Sequence, residues 1–223
     1  MALVTAFAVT SCQSDEELPQ EELPQEPTNE SGDTTDTPAG NDIAEVKWVQ
    51  LWADGPKFAE CNVGAENNKP EDYGGYYTWG GKYKNDGITW LNDHYGGTGP
   101  LFGNDDTATN LWGSKWRMPT NAEFQALVDS CSVEDVLDPN DNTKLLGKKF
   151  IGKGAYSSNS VFLPAAGYCK GSVLAAGKCG AYWSSTGNGS DNAYSLVFNS
   201  DTLSVCDDDN RNYGFSVRAV LAE

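Results

Sequence analysis

The chain has 223 residues and a formal net charge of −17 at pH 7, from 32 Asp and Glu against 15 Lys and Arg, with a single His. Such a balance offers no basic face to neutralise phosphate, which argues against a nucleic-acid partner. No segment approaches the roughly eighteen consecutive apolar residues that a membrane-spanning helix needs.

Residues 1–11 form a short apolar run that closes on Val9-Thr10-Ser11-Cys12. Apolar, small, small, Cys is similar to the lipobox of bacterial lipoproteins, in which the Cys becomes lipidated after cleavage. Residues 1–12 are therefore expected to be a lipoprotein signal with Cys12 as the lipid acceptor. The signal is short and lacks a basic n-region, as a start codon placed too late would leave it. Residues 13–45 hold eleven acidic side chains, no Lys or Arg, and Pro19, Pro24, Pro27 and Pro38. That composition has too little apolar surface to offset the entropy of ordering, so 13–43 reads as a disordered tether. Thirty such residues span roughly 30 Å, more with like-charge repulsion. Ser14-Asp15-Glu16-Glu17 resembles the acidic signal that sends lipoproteins of Bacteroidota to the outer face of the outer membrane. The expectation is a surface-exposed outer-membrane lipoprotein, held to the membrane by its lipid alone.

Residues 44–223 are long enough for one domain with a core of its own. All seven Trp and ten Tyr fall there. Val46-Lys47-Trp48-Val49-Gln50-Leu51-Trp52 and Phe58-Ala59-Glu60-Cys61-Asn62-Val63 read as short strands around the turn Asp54-Gly55-Pro56. Residues 72–103 lack periodicity and predict a long ordered loop pinned by Tyr76, Tyr77, Trp79 and Trp90. Thr120-Asn121-Ala122-Glu123 is a capping box. Phe124, Leu127, Val128 and Cys131 then repeat at helical spacing, which predicts a helix over about 120–131. Residues 133–137 suggest a further short helical turn. Beyond them the pattern is β: 148–152 against 161–163, then 181–185, 194–199, 203–206 and 215–221. The fold class is α+β, one helix against antiparallel strands. Cys61, Cys131, Cys169, Cys179 and Cys206 are odd in number, so one thiol at least stays unpaired. Cys169 and Cys179 either close a short loop or remain reduced. His94 reads as a loop residue, not a ligand.

The C-terminal stretch has an unusual alphabet. From 184 to 222 there is no Lys, Glu, Gln, Trp or Met, although these five types supply 39 of the 223 residues. Asn, Asp, Ser, Tyr and Gly crowd it instead. Turn chemistry explains that enrichment, but not the missing Lys and Glu, which are ordinary surface residues. The pattern is that of a restricted codon set.

Several segments in order carry a family resemblance: Phe58-Ala59-Glu60-Cys61-Asn62-Val63-Gly64-Ala65, Tyr73-Gly74-Gly75-Tyr76-Tyr77-Thr78-Trp79-Gly80, and Trp116-Arg117-Met118-Pro119 running into the capping box. Phe162-Leu163-Pro164-Ala165-Ala166-Gly167-Tyr168, Tyr182-Trp183-Ser184-Ser185-Thr186 and Ser216-Val217-Arg218-Ala219-Val220 complete them. Together they resemble the major-paralogous-domain surface lipoproteins of gut Bacteroidota, and among them the variable proteins of diversity-generating retroelements. Phe215, Cys169 and Cys179 depart from the commonest pattern of that family. The resemblance implies a C-type-lectin-like fold across 44–223, with a variable binding face at about 181–215. It also implies a mechanism, in which a reverse transcriptase copies template adenines unfaithfully, so that Asn codons change but never to Lys, Glu, Gln, Trp or Met.

Alternation then divides the segment. Trp183, Tyr194, Leu196, Phe198, Val205, Val217 and Val220 are expected to pack inward. Ser190, Asp191, Asn192, Ser195, Val197, Asn199, Ser204, Cys206, Asp207, Asp208, Asp209, Asn210, Asn212 and Tyr213 are expected to face outward and bind a surface ligand, a protein or glycan of host, phage or other bacteria. The protein is expected to act as a monomer without metal, cofactor or catalysis. A fixed-specificity carbohydrate-binding or adhesin lipoprotein of the same fold is the alternative. A calcium lectin using Asp207-Asp208-Asp209 as oxygen ligands lacks the Glu-Pro-Asn, Gln-Pro-Asp and Trp-Asn-Asp signatures. An oxidase of the formylglycine-generating type lacks the paired cysteines of its copper site. A Ser/His/Asp nucleophile site finds only His94.

Overall fold

The computed structural model describes residues 45–81 and 95–222. Cys12, the tether at 13–43, Trp90 and His94 lie outside the described residues.

In chain order the elements begin with strands β1 (Trp48–Gln50) and β2 (Lys57–Ala59). A short helix α1 (Thr107–Trp112), strand β3 (Trp116–Arg117) and helix α2 (Asn121–Ser130) follow. Then come β4 (Ser132–Asp138), β5 (Asp141–Ile151), β6 (Ser160–Pro164), β7 (Tyr168–Lys170) and β8 (Ser172–Leu174). The last four are β9 (Cys179–Asn188), β10 (Asn192–Asn199), β11 (Leu203–Asn210) and β12 (Val220–Leu221). The class is α+β with antiparallel pairing between the named strands.

One sheet, ordered β1-β2-β12-β3, joins the two ends of the domain. The chain before β12 is extended as well. It continues the stitching through Val63 N–H to Val217 O and Ala59 N–H to Ala219 O, both at 2.9 Å. The strand expected over 215–221 is thus formal only at its end, and the rest is held by single bridges such as Tyr77 with Phe215 and Tyr182 with Ser216. A second sheet, β11-β10-β9, carries the restricted segment, and the third is β4-β5-β6.

Helix α2 begins as its sequence dictates. Glu123 N–H donates to Thr120 Oγ1 at 3.2 Å, and Glu123 Oε2 accepts from Thr120 N–H at 2.7 Å. Arg117 clamps the same carboxylate with two hydrogen bonds of 2.7 and 2.6 Å. Phe124 and Leu127 are fully buried in one core cluster with Phe58, Phe150, Tyr182, Leu196 and Phe198. Burial of a side chain of that size contributes roughly 1.5–3 kcal/mol.

The helical turn expected at 133–137 is instead strand β4. Val133, Val136 and Leu137 match one helical turn, but Val133 pairs with Phe150 and Asp135 with Lys148 across the hairpin. Ladder pairing and the Lys148–Asp135 ion pair decide the conformation. Helix α1 is an element the sequence reading missed. Buried Asp106 caps it by accepting from Thr109 N–H at 3.0 Å, and also accepts from Met118 N–H at 2.8 Å.

Candidate functional site

Strand β10 lies between β9 and β11, and both of its faces are covered. Leu196 and Phe198 pack into the cluster below α2. Ala193 and Val197 pack into the second cluster, with Trp79, Trp183, Tyr77 and Phe215. Trp183 stacks on Phe215 at 4.2 Å, and its ring N–H donates to Tyr77 O at 2.8 Å. The alternation read from the sequence is real, but neither side of the strand's middle is solvent.

Two of the expected outward positions are therefore corrected. Ser195 is fully buried and donates to Asp209 Oδ2 at 2.7 Å, and Val197 is buried among aromatic rings. Their cover is the loop-rich layer built from 72–81 and 214–217, which no periodicity announces. On the scaffold side, Trp183, Leu196, Phe198, Val217 and Val220 are buried as expected, whereas Tyr194 and Val205 are half-buried.

The remaining positions separate into two ends of the sheet. Asn199 and Ser204 lie at the β10–β11 turn, where Asn199 Oδ1 accepts from Asp201 N–H at 2.8 Å and Thr202 N–H at 2.7 Å. Asn199 is a turn-forming residue there. At the other end, Ser190 and Asp191 are exposed on the β9–β10 turn, and Asn192 pairs with both Asn188 and Asn210. Asp208 is exposed, while Asp209, Asn210, Asn212 and Tyr213 are half-buried. The side chains of Cys206 and Asp207 lie outside the described residues.

The three consecutive acids lie beyond the strand expected over 203–206, yet they sit in β11. Successive strand residues face opposite sides, so Asp208 is exposed while Asp209 is engaged by Ser195. Among the described residues, no group of three or more His, Cys, Asp or Glu side chains is placed to hold a metal ion.

What holds this end together is Arg211, which the sequence reading did not single out. Its side chain is fully buried, with its guanidinium 4.1 Å from the centre of the Trp79 ring. It donates to Asn192 O at 3.0 Å, Gly189 O at 2.9 Å, Tyr95 O at 3.0 Å and Gly97 O at 2.6 Å. One cation thus ties the β9–β10 turn to the 95–97 segment. Gly187 permits the approach, since a Cβ there would stand 2.9 Å from both the guanidinium and the Trp79 ring. The sequence signal was its rarity: Arg211 is one of three arginines, set between two asparagines in a turn.

Beside Arg211 is an open pocket of about 430 Å³ lined by Lys170, Gly171, Asn210, Asn212 and Tyr213. Three of these five were expected. Lys170 and Gly171 come from the β7–β8 hairpin, whose turn is set by Gly171 at φ +76°. The hairpin is fixed to the other wall by Cys169 N–H to Gly214 O at 2.7 Å and Gly214 N–H to Cys169 O at 2.8 Å. Tyr213 leans on Tyr168 and Phe215, at 6.3 and 6.2 Å between ring centres.

Cys61, Cys131, Cys169 and Cys179 are buried as thiols. Burial raises Cys61 above its ordinary value and Cys131 to about 11, the reverse of what a reactive thiolate needs. Compared with protein-family models, curated proteins and solved structures, the chain matches none.

Proposed function

We propose that the chain is a surface-displayed ligand-binding lipoprotein with a C-type-lectin-like frame, whose binding face is diversified by a retroelement. The observation that carries this reading joins composition to burial. Lys, Glu, Gln, Trp and Met are missing from all of 184–222, and much of that stretch is exposed or half-buried, where Lys and Glu are ordinary. Core packing does not remove Lys and Glu from solvent-facing positions, whereas a codon restriction does. The display set is accordingly Ser190, Asp191, Asn192, Asp208, Asn210, Asn212 and Tyr213. Ser195, Val197 and Arg211 belong to the frame. Exchangeable side chains on a frame fixed by buried rings and a buried guanidinium is how one fold serves many ligands.

Lys170 favours the second reading, a fixed-specificity carbohydrate-binding or adhesin protein, because it lines the pocket from outside the restricted stretch. Both readings place recognition at the same end of the sheet and neither involves chemistry on the ligand. The test is a binding screen against host, phage and bacterial surface components, followed by replacement of 188–213 with the segment of a relative. Loss or redirection of binding with an intact fold and no effect of EDTA is expected. Binding that survives the exchange would place the site elsewhere.

A further inference from the structure

We propose that the pocket between the β7–β8 hairpin and the 210–213 turn takes a carboxylate-bearing sugar, a uronic acid ring, with Lys170 on the carboxylate and Tyr213 under the ring. This rests on the reading of the protein as a surface binder and names the class of ligand. The volume of about 430 Å³ lies at the lower end of the range for small-molecule sites and suits one or two sugar rings. The exposed Lys170 ammonium stands 5.3 Å above the Tyr213 ring, and among the described residues it has no carboxylate at ion-pair distance. Among the described residues it is the only charged side chain of the pocket wall. A single cation over an aromatic face selects an anionic group attached to an apolar surface.

The Asn210 carboxamide adds a donor to the pocket wall. Asn210 Oδ1 accepts from Asn212 N–H at 3.0 Å, which leaves the Asn210 amide hydrogens to donate to a ring hydroxyl, a group that can accept as well as donate. With the Lys170 ammonium drawn off the ring onto the carboxylate, the C–H face of a pyranose stacks on Tyr213, whose ring is held by Tyr168 and Phe215. Both walls are fixed by the paired Cys169 and Gly214 hydrogen bonds, so little ordering accompanies binding.

Titration calorimetry on the full chain tests this with a galacturonic-acid disaccharide and the matching galactose disaccharide. The acid sugar is expected to bind about tenfold more tightly, the scale of one charge-assisted hydrogen bond. Lys170→Gln should remove that preference and leave the neutral sugar unchanged, while Lys178→Gln, outside the pocket, should alter neither. Tyr213→Ala should weaken both sugars, with an unchanged unfolding midpoint for Lys170→Gln showing that the frame persists. Equal affinity for the two sugars, binding of neither, or indifference to Lys170→Gln would overturn the assignment. So would tighter binding of a peptide with a free C-terminal carboxylate. Diversification is read independently, from gene copies, so failure here leaves that reading standing.

Discussion

Removing the Arg211 guanidinium should loosen the whole display end of the sheet. It donates to four backbone carbonyls at 2.6–3.0 Å and lies 4.1 Å from the Trp79 ring centre. Hydrogen bonds from a charged donor contribute roughly 1.5–3 kcal/mol each, but four on one group are not additive. Arg211→Ala leaves those carbonyls to the solvent that enters and opens a void beside Trp79, which together should cost about 3–5 kcal/mol. Arg211→Lys keeps the charge but loses the planar fork and half of the contacts, so about 2–3 kcal/mol is expected. For a domain of this size, Arg211→Ala then lowers the unfolding midpoint on the order of 10 °C. Tryptophan fluorescence during thermal and urea unfolding measures this. A change within ~0.5 kcal/mol for Arg211→Ala, the range of an ordinary surface site, would refute the reasoning.

Frame and display should separate on substitution. Val197→Ala should cost roughly 2 kcal/mol and Trp183→Ala about 3–5 kcal/mol, whereas Asp208→Ala should stay within ~0.5 kcal/mol, all read from urea midpoints. Acid should weaken the start of α2. Burial pushes the Glu123 carboxyl up, but the Arg117 and Thr120 hydrogen bonds outweigh it and hold the group below its ordinary 4.5. Its contribution is therefore complete above about pH 4.5 and is lost as pH falls through the lowered value. The stability difference between wild type and Glu123→Gln should shrink below that pH, and a difference constant down to pH 3 would contradict it. Cys12→Ala should move the protein out of the membrane fraction, and protease added to intact cells should remove the wild-type head. A head protected in intact cells would contradict surface display.

Legibility in the sequence followed the range of the interactions involved. The capping box of α2 and the apolar spacing of Phe124 and Leu127 are local, and both appear as read. The 148–152 and 161–163 pairing is there too, with Lys148 opposite Leu163. Strand β4 was misread because three apolar residues fit a helical turn, while the deciding partners, Lys148 and Phe150, lie across a hairpin. The strand β11 was cut short at its acids, since the pairing of Ala193 with Asp209 and Asn192 with Asn210 is also non-local. For the candidate site, the alternation of 194–199 was correct but could not say whether a second layer covers the polar side. That layer is the irregular chain carrying Tyr77, Trp79 and Phe215, which buries Ser195 and Val197. Arg211 and Lys170 were missed for the same reason. Their roles exist only once the 95–97 segment and the β7–β8 hairpin are brought against the sheet.

The most direct test of the central claim is the DNA sequence around the gene, together with its 3′ end in many sister isolates. The account predicts a near-copy of that 3′ end beside a reverse-transcriptase gene, with differences between copies confined to positions opposite template adenines. It predicts those differences at the codons of Ser190, Asp191, Asn192, Asp208, Asn210, Asn212 and Tyr213, with Ser195, Val197 and Arg211 unchanged. Absence of a second copy, or substitutions scattered equally over frame and display codons, would contradict it.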